Sequence, residues 1–231
     1  MNTLEGKTLF ITGASRGIGL EFVRQYRAAG AQVVATARSE TGLAAISALG
    51  AKAIKLDVTV DVDNAASASG LAWQIDGHQF DAVIFVAGVY GPRTSGLETP
   101  TEADFNAVMH ANVLGPMRVL PQIEDALAPG AKLAILSSRM GSIGLRASSV
   151  GWLYRASKAA VNSVLKDASL QLAGKAICIS FHPGWVRTEM GGEGADIDVA
   201  TSVAGMRAVL AGAKPEHNGS FFNYDGQTLA W

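Results

Sequence analysis

The sequence predicts an α/β protein, a single domain built on a doubly wound parallel sheet of about seven strands with helices on both faces. Three observations predict it. Short apolar runs rich in β-branched residues alternate with longer segments of helical period from one end of the chain to the other. The strand-like runs are continuously apolar rather than alternating, the pattern of a sheet covered on both sides. A glycine-rich stretch, Thr12-Gly13-Ala14-Ser15-Arg16-Gly17-Ile18-Gly19, follows the first run and opens a helical segment.

Taken in order, Thr8–Ile11 reads as the first strand, and Ile18, Phe22, Val23 and Tyr26 mark one face of the helix after it. Gly30 is a helix stop, and Gln32–Thr36 is the second strand. Lys52–Leu56, Ala82–Ala87, Lys132–Ser137 and Ala176–Phe181 repeat the strand pattern with helical stretches between them, and Ser220–Asn223 ends the series. Two stretches lack periodicity: Val89–Thr99, and Thr188–Asp198 with Gly191, Gly192 and Gly194. Both are expected to border a pocket, the second as a mobile substrate-side loop over 188–198. No repeat or linker divides the 231 residues, so one domain over 1–231 is expected.

Composition narrows the function classes. The chain carries 26 glycines where average usage of about 7% would give roughly 16. That excess points to tight turns and close backbone approaches. A net charge of -1 argues against a dedicated nucleic-acid binder. A single cysteine cannot staple the fold, and Met1-Asn2-Thr3-Leu4-Glu5-Gly6-Lys7 has neither the basic nor the apolar region of a signal peptide. The longest apolar runs fall far short of the ~18 residues of a spanning helix. A soluble cytoplasmic protein is expected, without a membrane or nucleic-acid partner. The four histidines lack metal-ligand spacing, so no metal is expected.

The glycine stretch suits a diphosphate, which needs backbone N–H groups within reach and the positive end of a helix. Gly13 would allow the turn, Gly17 the close approach, and Gly19 tight helix–strand packing. The spacing is G-x-x-x-G-x-G rather than the usual dinucleotide fingerprint, and an ordinary glycine turn is the alternative. The second strand ends Ala35-Thr36-Ala37-Arg38-Ser39, with no acid before Glu40 to take a ribose 2′-hydroxyl. Arg38 and Arg16 would instead clamp a 2′-phosphate, which favours NADP(H) over NAD(H); the alternative is two solvated surface charges. Asp57 is either the acceptor for an adenine amino group or a helix N-cap in the region Asp57–Asp61.

Tyr154-Arg155-Ala156-Ser157-Lys158 places a phenol and an ammonium four residues apart on one helix face. A tyrosine titrating at about 10 is a poor acid–base catalyst at neutral pH, and a neighbouring cation favours its phenolate. The pair therefore makes sense as a general acid delivering a proton to a carbonyl oxygen, although Y-x-x-x-K alone is often a surface pair. Ser138 closes a strand at the carboxyl edge of the sheet, where a hydroxyl would face a ligand crevice. Asn112 is an unusual polar residue in an otherwise helical stretch. His182, before Pro183, reads as structural, and Cys178 as a buried small hydrophobe. Trp152 and Trp185 either line the pocket or simply cover the sheet.

Together these residues resemble the short-chain dehydrogenase/reductase family, and the resemblance covers nearly the whole chain. Thr12–Gly19 is similar to its T-G-x-x-x-G-x-G loop, Asp57-Val58 to its adenine-site acid, and Pro183-Gly184-Trp185-Val186-Arg187-Thr188 to its P-G-x-x-x-T element. Asn112, Ser138, Tyr154 and Lys158 match its catalytic tetrad in order. The segments Gly19–Gln25, His182–Met190 and Asn223–Gly226 resemble the branch of C-factor-like proteins and sniffer-type carbonyl reductases.

The resemblance implies a Rossmann-type fold and NADPH-dependent reduction of a carbonyl to an alcohol, or the reverse. It implies Tyr154 as acid/base and Lys158 as the group that lowers its pKa and holds the nicotinamide ribose. Ser138 would orient the substrate, and Asn112 would anchor a relay water. Cofactor contacts would come from Gly13, Ser15, Arg16, Gly17, Ile18 and Gly19, from Arg38, Asp57 and Val58, and from Ala87 and Gly88. Tyr154, Lys158, Pro183, Gly184, Val186 and Thr188 would complete them. A non-catalytic NAD(P)-binding signalling protein of C-factor type is the alternative. A homodimer or homotetramer is expected, for which the apolar face of Ala159, Val161 and Leu165 fits an interface or the protein's own core equally well. Val89, Trp152, Trp185 and Met190 suggest an apolar or aromatic carbonyl substrate.

One position departs from the pattern. Where the family writes N-N-A-G, this chain has Phe85-Val86-Ala87-Gly88. Val86 cannot make the hydrogen bonds of an asparagine, so packing or a different polar partner must hold the segment.

Overall fold

A computed structural model of the chain describes residues 4–60 and 70–231. In chain order its elements are β1 (Thr8–Thr12), α1 (Gly17–Ala28), β2 (Gln32–Ala37), α2 (Glu40–Ala48), β3 (Lys52–Lys55), α3 (Leu71–Gln74), β4 (Phe80–Phe85), α4 (Glu102–Met109), α5 (Gly115–Ile123), β5 (Leu127–Leu136), α6 (Trp152–Gln171), β6 (Ala176–His182), α7 (Val199–Ala211) and β7 (Ser220–Asn223). The seven strands form one parallel sheet in the order β3-β2-β1-β4-β5-β6-β7. The chain works outward from β1 to β3, then returns to place β4 on the other side of β1. That reversal opens a crevice beyond the carboxyl ends of β1 and β4, the place where such sheets take ligands.

The apolar strands serve two cores. Along β1, Leu9 and Ile11 join one cluster with Phe22, Val23 and Tyr26 of α1 and Val203, Met206 and Leu210 of α7. Phe10, between them, points to the opposite face and joins Val119, Val161, Leu165 and Leu172. Both faces are apolar, hence the unbroken hydrophobic run. Val161 and Leu165 are fully buried in this second core and so are not available to an interface. Gly30 ends α1 with φ +90, a left-handed backbone that glycine adopts without a Cβ penalty.

Two strands depart from their expected bounds by more than one residue, the others agreeing within one. β4 stops at Phe85 because Val86 leaves the ladder: its N–H donates to the Thr12 side chain (3.2 Å). β5 starts at Leu127, ahead of the apolar run, and its pairing with β4 shifts register between Phe80 and Ala82. Pro129 and Gly130 interrupt the apolar pattern there, so periodicity could not reveal the early start. Val89–Thr99 and most of Thr188–Asp198 are irregular, with Val186 and Ile197 bridging the base of the second loop and Asp198 capping α7. Among the described residues no helix is long and apolar enough to cross a membrane, and no group of His, Cys, Asp and Glu is placed to hold a metal ion. Cys178 is fully buried, which pushes its thiol up to about 12 and makes it a core residue rather than a nucleophile.

Candidate active site

Between α4 and α5 the helix widens into a π turn, His110–Leu114, that carries Asn112 inward to 1% exposure. Its Oδ1 accepts the Val89 N–H (2.8 Å), and its Nδ2 donates to the Val89 carbonyl (2.8 Å) and to Ser157 Oγ (2.9 Å). Ser157 in turn donates to the Tyr154 carbonyl (2.8 Å). Asn112 thus ties the segment after β4 to the first turn of α6. Here is the polar partner that Val86 cannot supply: Thr12 holds residue 86 and Asn112 holds residue 89.

On α6, Tyr154 and Lys158 stand one turn apart and both are buried, at 8% and 5% exposure. Lys158 Nζ donates to the Leu136 carbonyl at the end of β5 (2.9 Å) and lies 5.6 Å from the centre of the Tyr154 ring. Ser138 caps a short turn after β5, its Oγ accepting the Met140 N–H (3.1 Å), and its hydroxyl is near enough to Tyr154 to lower the phenol pKa. Gly88 completes the cluster: a Cβ there would lie 3.0 Å from Asn112 Oδ1 and 3.4 Å from Lys158 Nζ. All four residues picked out by motif therefore meet at the carboxyl edge of the sheet, around the backbone of residues 86–89.

The electrostatics run against the simple expectation for a Tyr–Lys pair. Burial pushes the Tyr154 hydroxyl well above the usual phenol range; the Ser138 hydrogen bond pulls it down, and Tyr90 beside it adds to the rise. Burial also pushes Lys158 down to about 8. Desolvation dominates, and Tyr154 holds its proton throughout the neutral range, the state a proton donor requires.

The crevice beside this cluster is lined by the glycine loop. Gly13 has φ +67, and a Cβ on it would sit 2.6 Å from the backbone N and Cα of Ala87, so the two carboxyl-edge loops touch. A Cβ on Gly19 would collide with the Gly13 carbonyl. Arg16 is the N-cap residue of α1 but gives it no side-chain cap, and no acid lies in its first turn, so the N–H groups at this helix end remain directed at the crevice. Arg38, exposed at the end of β2, makes no ion pair or hydrogen bond among the described residues, whereas Glu40 pairs with Lys55 (2.8 Å). Asp57 Oδ1 accepts from the Thr59 N–H and hydroxyl (2.9 and 2.7 Å), a turn-closing role; Asp61, the far end of the alternative cap, lies outside the described residues. Val58 is buried against Gly115. These features suit a dinucleotide carrying a 2′-phosphate: an uncapped helix end, a loop with no room for Cβ atoms, and a free guanidinium in place of an acid.

The Pro183–Thr188 element closes the opposite side. The Thr188 methyl lies 3.5 Å from where a Gly17 Cβ would be, and Glu189 forms an ion pair with Arg16. Trp185 donates to the Gly191 carbonyl (2.9 Å) and Trp152 to the Glu98 carbonyl (2.9 Å), so both indoles brace loops. Sequence reasoning missed Tyr90, whose ring stacks on Tyr154, and Ser157, whose place just before Lys158 on the buried helix face was the available signal. His182 is a structural residue with a measurable consequence. Burial, aided by the Arg139 charge and opposed by Asp225, pushes it from 6.5 down to about 4. As pH falls through this window the unfolded chain binds a proton that the folded chain refuses, so stability declines, by up to about 3 kcal/mol from this group. Urea midpoints near neutrality and near pH 4.5 should differ less in His182→Gln than in wild type; an equal difference would assign the acid sensitivity elsewhere.

Residues 7–196 match the short chain dehydrogenase family. C-signal of Myxococcus xanthus is 38% identical over 154 residues, 65% of this chain and 92% of that protein. A carbonyl reductase of Pseudomonas aeruginosa, solved in complex with NADP, superposes with a TM-score of 0.82 at 31% identity, covering 97% of this chain and 99% of the other. The carbonyl reductase Sniffer of Drosophila melanogaster shares the fold, with a TM-score of 0.82 at 23% identity over 98% and 100% of the two chains.

Proposed function

This chain belongs to the short-chain dehydrogenase family, and from that premise we propose that it is an NADPH-dependent carbonyl reductase, able to run in reverse as an alcohol dehydrogenase. The observation that carries this reading is the convergence of Ser138, a protonated Tyr154, Lys158 and Asn112 on one edge of the ligand crevice. The Pseudomonas relative solved with NADP supports the cofactor. Gly13, Ser15, Gly17, Ile18 and Gly19 would hold the diphosphate end, Arg38 and Arg16 the 2′-phosphate, and Asp57 and Val58 the adenine. Ala87, Gly88, Pro183, Gly184, Val186 and Thr188 would face the nicotinamide end. The 188–198 segment is the substrate-side loop of a single domain, and the setting is a cytoplasmic homodimer or homotetramer.

The bound nicotinamide supplies the hydride. The proton side of the reaction belongs to the chain. The Ser138 hydroxyl, which lowers the Tyr154 pKa, and the Tyr154 hydroxyl would together form one site for a carbonyl oxygen. Tyr154 gives its proton to that oxygen as the alcohol forms. The charge on Lys158, fixed by the Leu136 carbonyl, stabilises the phenolate left behind. In the alcohol-oxidising direction Tyr154 takes the proton back.

Cofactor choice is tested at Arg38. Arg38→Ala is expected to weaken NADPH binding about 10- to 100-fold, the worth of a charge-assisted contact, and to change NADH binding little. Fluorescence titration of both nucleotides measures it; equal loss for both would remove the 2′-phosphate role.

A further inference from the structure

We propose that Tyr90 is a positioning residue for Tyr154, its ring fixing the plane from which the proton donor reaches the substrate oxygen. The inference rests on the reductase reading of the same site. The two rings stack with centroids 4.5 Å apart and planes 23° from parallel. A hydrogen bond at the hydroxyl holds the position of that oxygen but leaves the ring free to swing, because the terminal torsion of a tyrosine is broad. A second ring lying flat against the first removes that freedom.

Tyr90 is itself held from three sides. Both backbone hydrogen-bonding groups of Val89, the preceding residue, are held by Asn112 (2.8 Å each). Arg93 packs over the Tyr90 ring, its guanidinium carbon 5.0 Å from the centroid, and donates to the Met190 carbonyl (2.8 Å). Gly151, at the start of α6, leaves space for the Tyr90 hydroxyl: a Cβ there would lie 2.5 Å from it. Asn112 therefore reaches Tyr154 by two routes, through Ser157 to its backbone and through Val89 and Tyr90 to its ring. Misplacing a reacting group by about 1 Å costs up to 100-fold in rate, the scale on which the stack should matter.

The test compares Tyr90→Leu, which removes the ring, with Tyr90→Phe, which keeps it. With 4-nitrobenzaldehyde and saturating NADPH, Tyr90→Leu is expected to lower kcat roughly 10- to 100-fold with a much smaller change in KM, and Tyr90→Phe to recover most of that loss. A loss confined to KM, an unchanged kcat, or a Phe variant as impaired as Leu would overturn the inference. NMR of ring-labelled tyrosine, with the Tyr154 signal assigned from Tyr154→Phe, gives a readout independent of turnover. Tyr90→Leu should shift the Tyr154 ring resonances and Tyr90→Phe should largely preserve them; unmoved resonances in the Leu variant would contradict the stack. If wild type reduces no carbonyl, the reductase reading fails while the NMR comparison still decides the role of Tyr90.

Discussion

Tyr154→Phe is expected to lower kcat for carbonyl reduction roughly a thousandfold, within the range that general acid catalysis contributes. In the proposed reaction the phenol is the proton donor, and burial keeps it protonated. The substitution removes one oxygen and leaves a ring of the same shape against Tyr90, so the packing survives. Affinity for NADPH should stay within a few-fold of wild type, because Lys158, Arg38 and the glycine loop are untouched. Single-turnover absorbance of the nicotinamide together with a binding titration separates the two effects. A variant that keeps its rate would place proton transfer on another group, and a protein whose biological role survived the change would favour the signalling alternative.

The second large effect is on stability. Asn112→Ala deletes three hydrogen bonds at once and strands the Val89 N–H and carbonyl, while Ser157 Oγ loses a donor but keeps its own bond to the Tyr154 carbonyl. Each stranded group costs about 1–3 kcal/mol, and since the two relax together a total of about 2–4 kcal/mol is expected. In a chain of this length that corresponds to a fall in Tm of roughly 10 °C. Thr12→Val, which removes only the bond to the Val86 N–H, should cost about 1 kcal/mol. Thermal unfolding of both variants checks the ranking. A smaller effect for Asn112→Ala than for Thr12→Val would mean that the segment after β4 is held chiefly by Thr12 rather than by Asn112.

The strand–helix order, the glycine loop and the Tyr154–Lys158 pair were legible because each is encoded within one element: a period, a turn, or a fixed spacing on a helix. Tyr154 and Lys158 share a face because they lie four residues apart on α6, whatever surrounds them. The Tyr90 stack was not legible, since it joins a loop of no periodicity to a helix 64 positions later and depends on how Asn112 places Val89. The substitute for the missing asparagine was equally hidden. Val86 announced that a brace was absent, but only the sheet order, which sets β1 beside β4, brings Thr12 within reach. The direction of the Tyr154 shift also lay beyond the sequence. Spacing reveals the nearby cation, whereas the depth of burial that sets the direction is a property of the assembled fold.

The central claim, that this crevice reduces carbonyls with NADPH, is tested most directly by following nicotinamide absorbance across a panel of aldehydes and ketones with wild type. The expected result is carbonyl-dependent consumption of NADPH, clearly faster than of NADH, for at least one apolar or aromatic member. Consumption of neither nucleotide across the panel, or a clear preference for NADH, would contradict it.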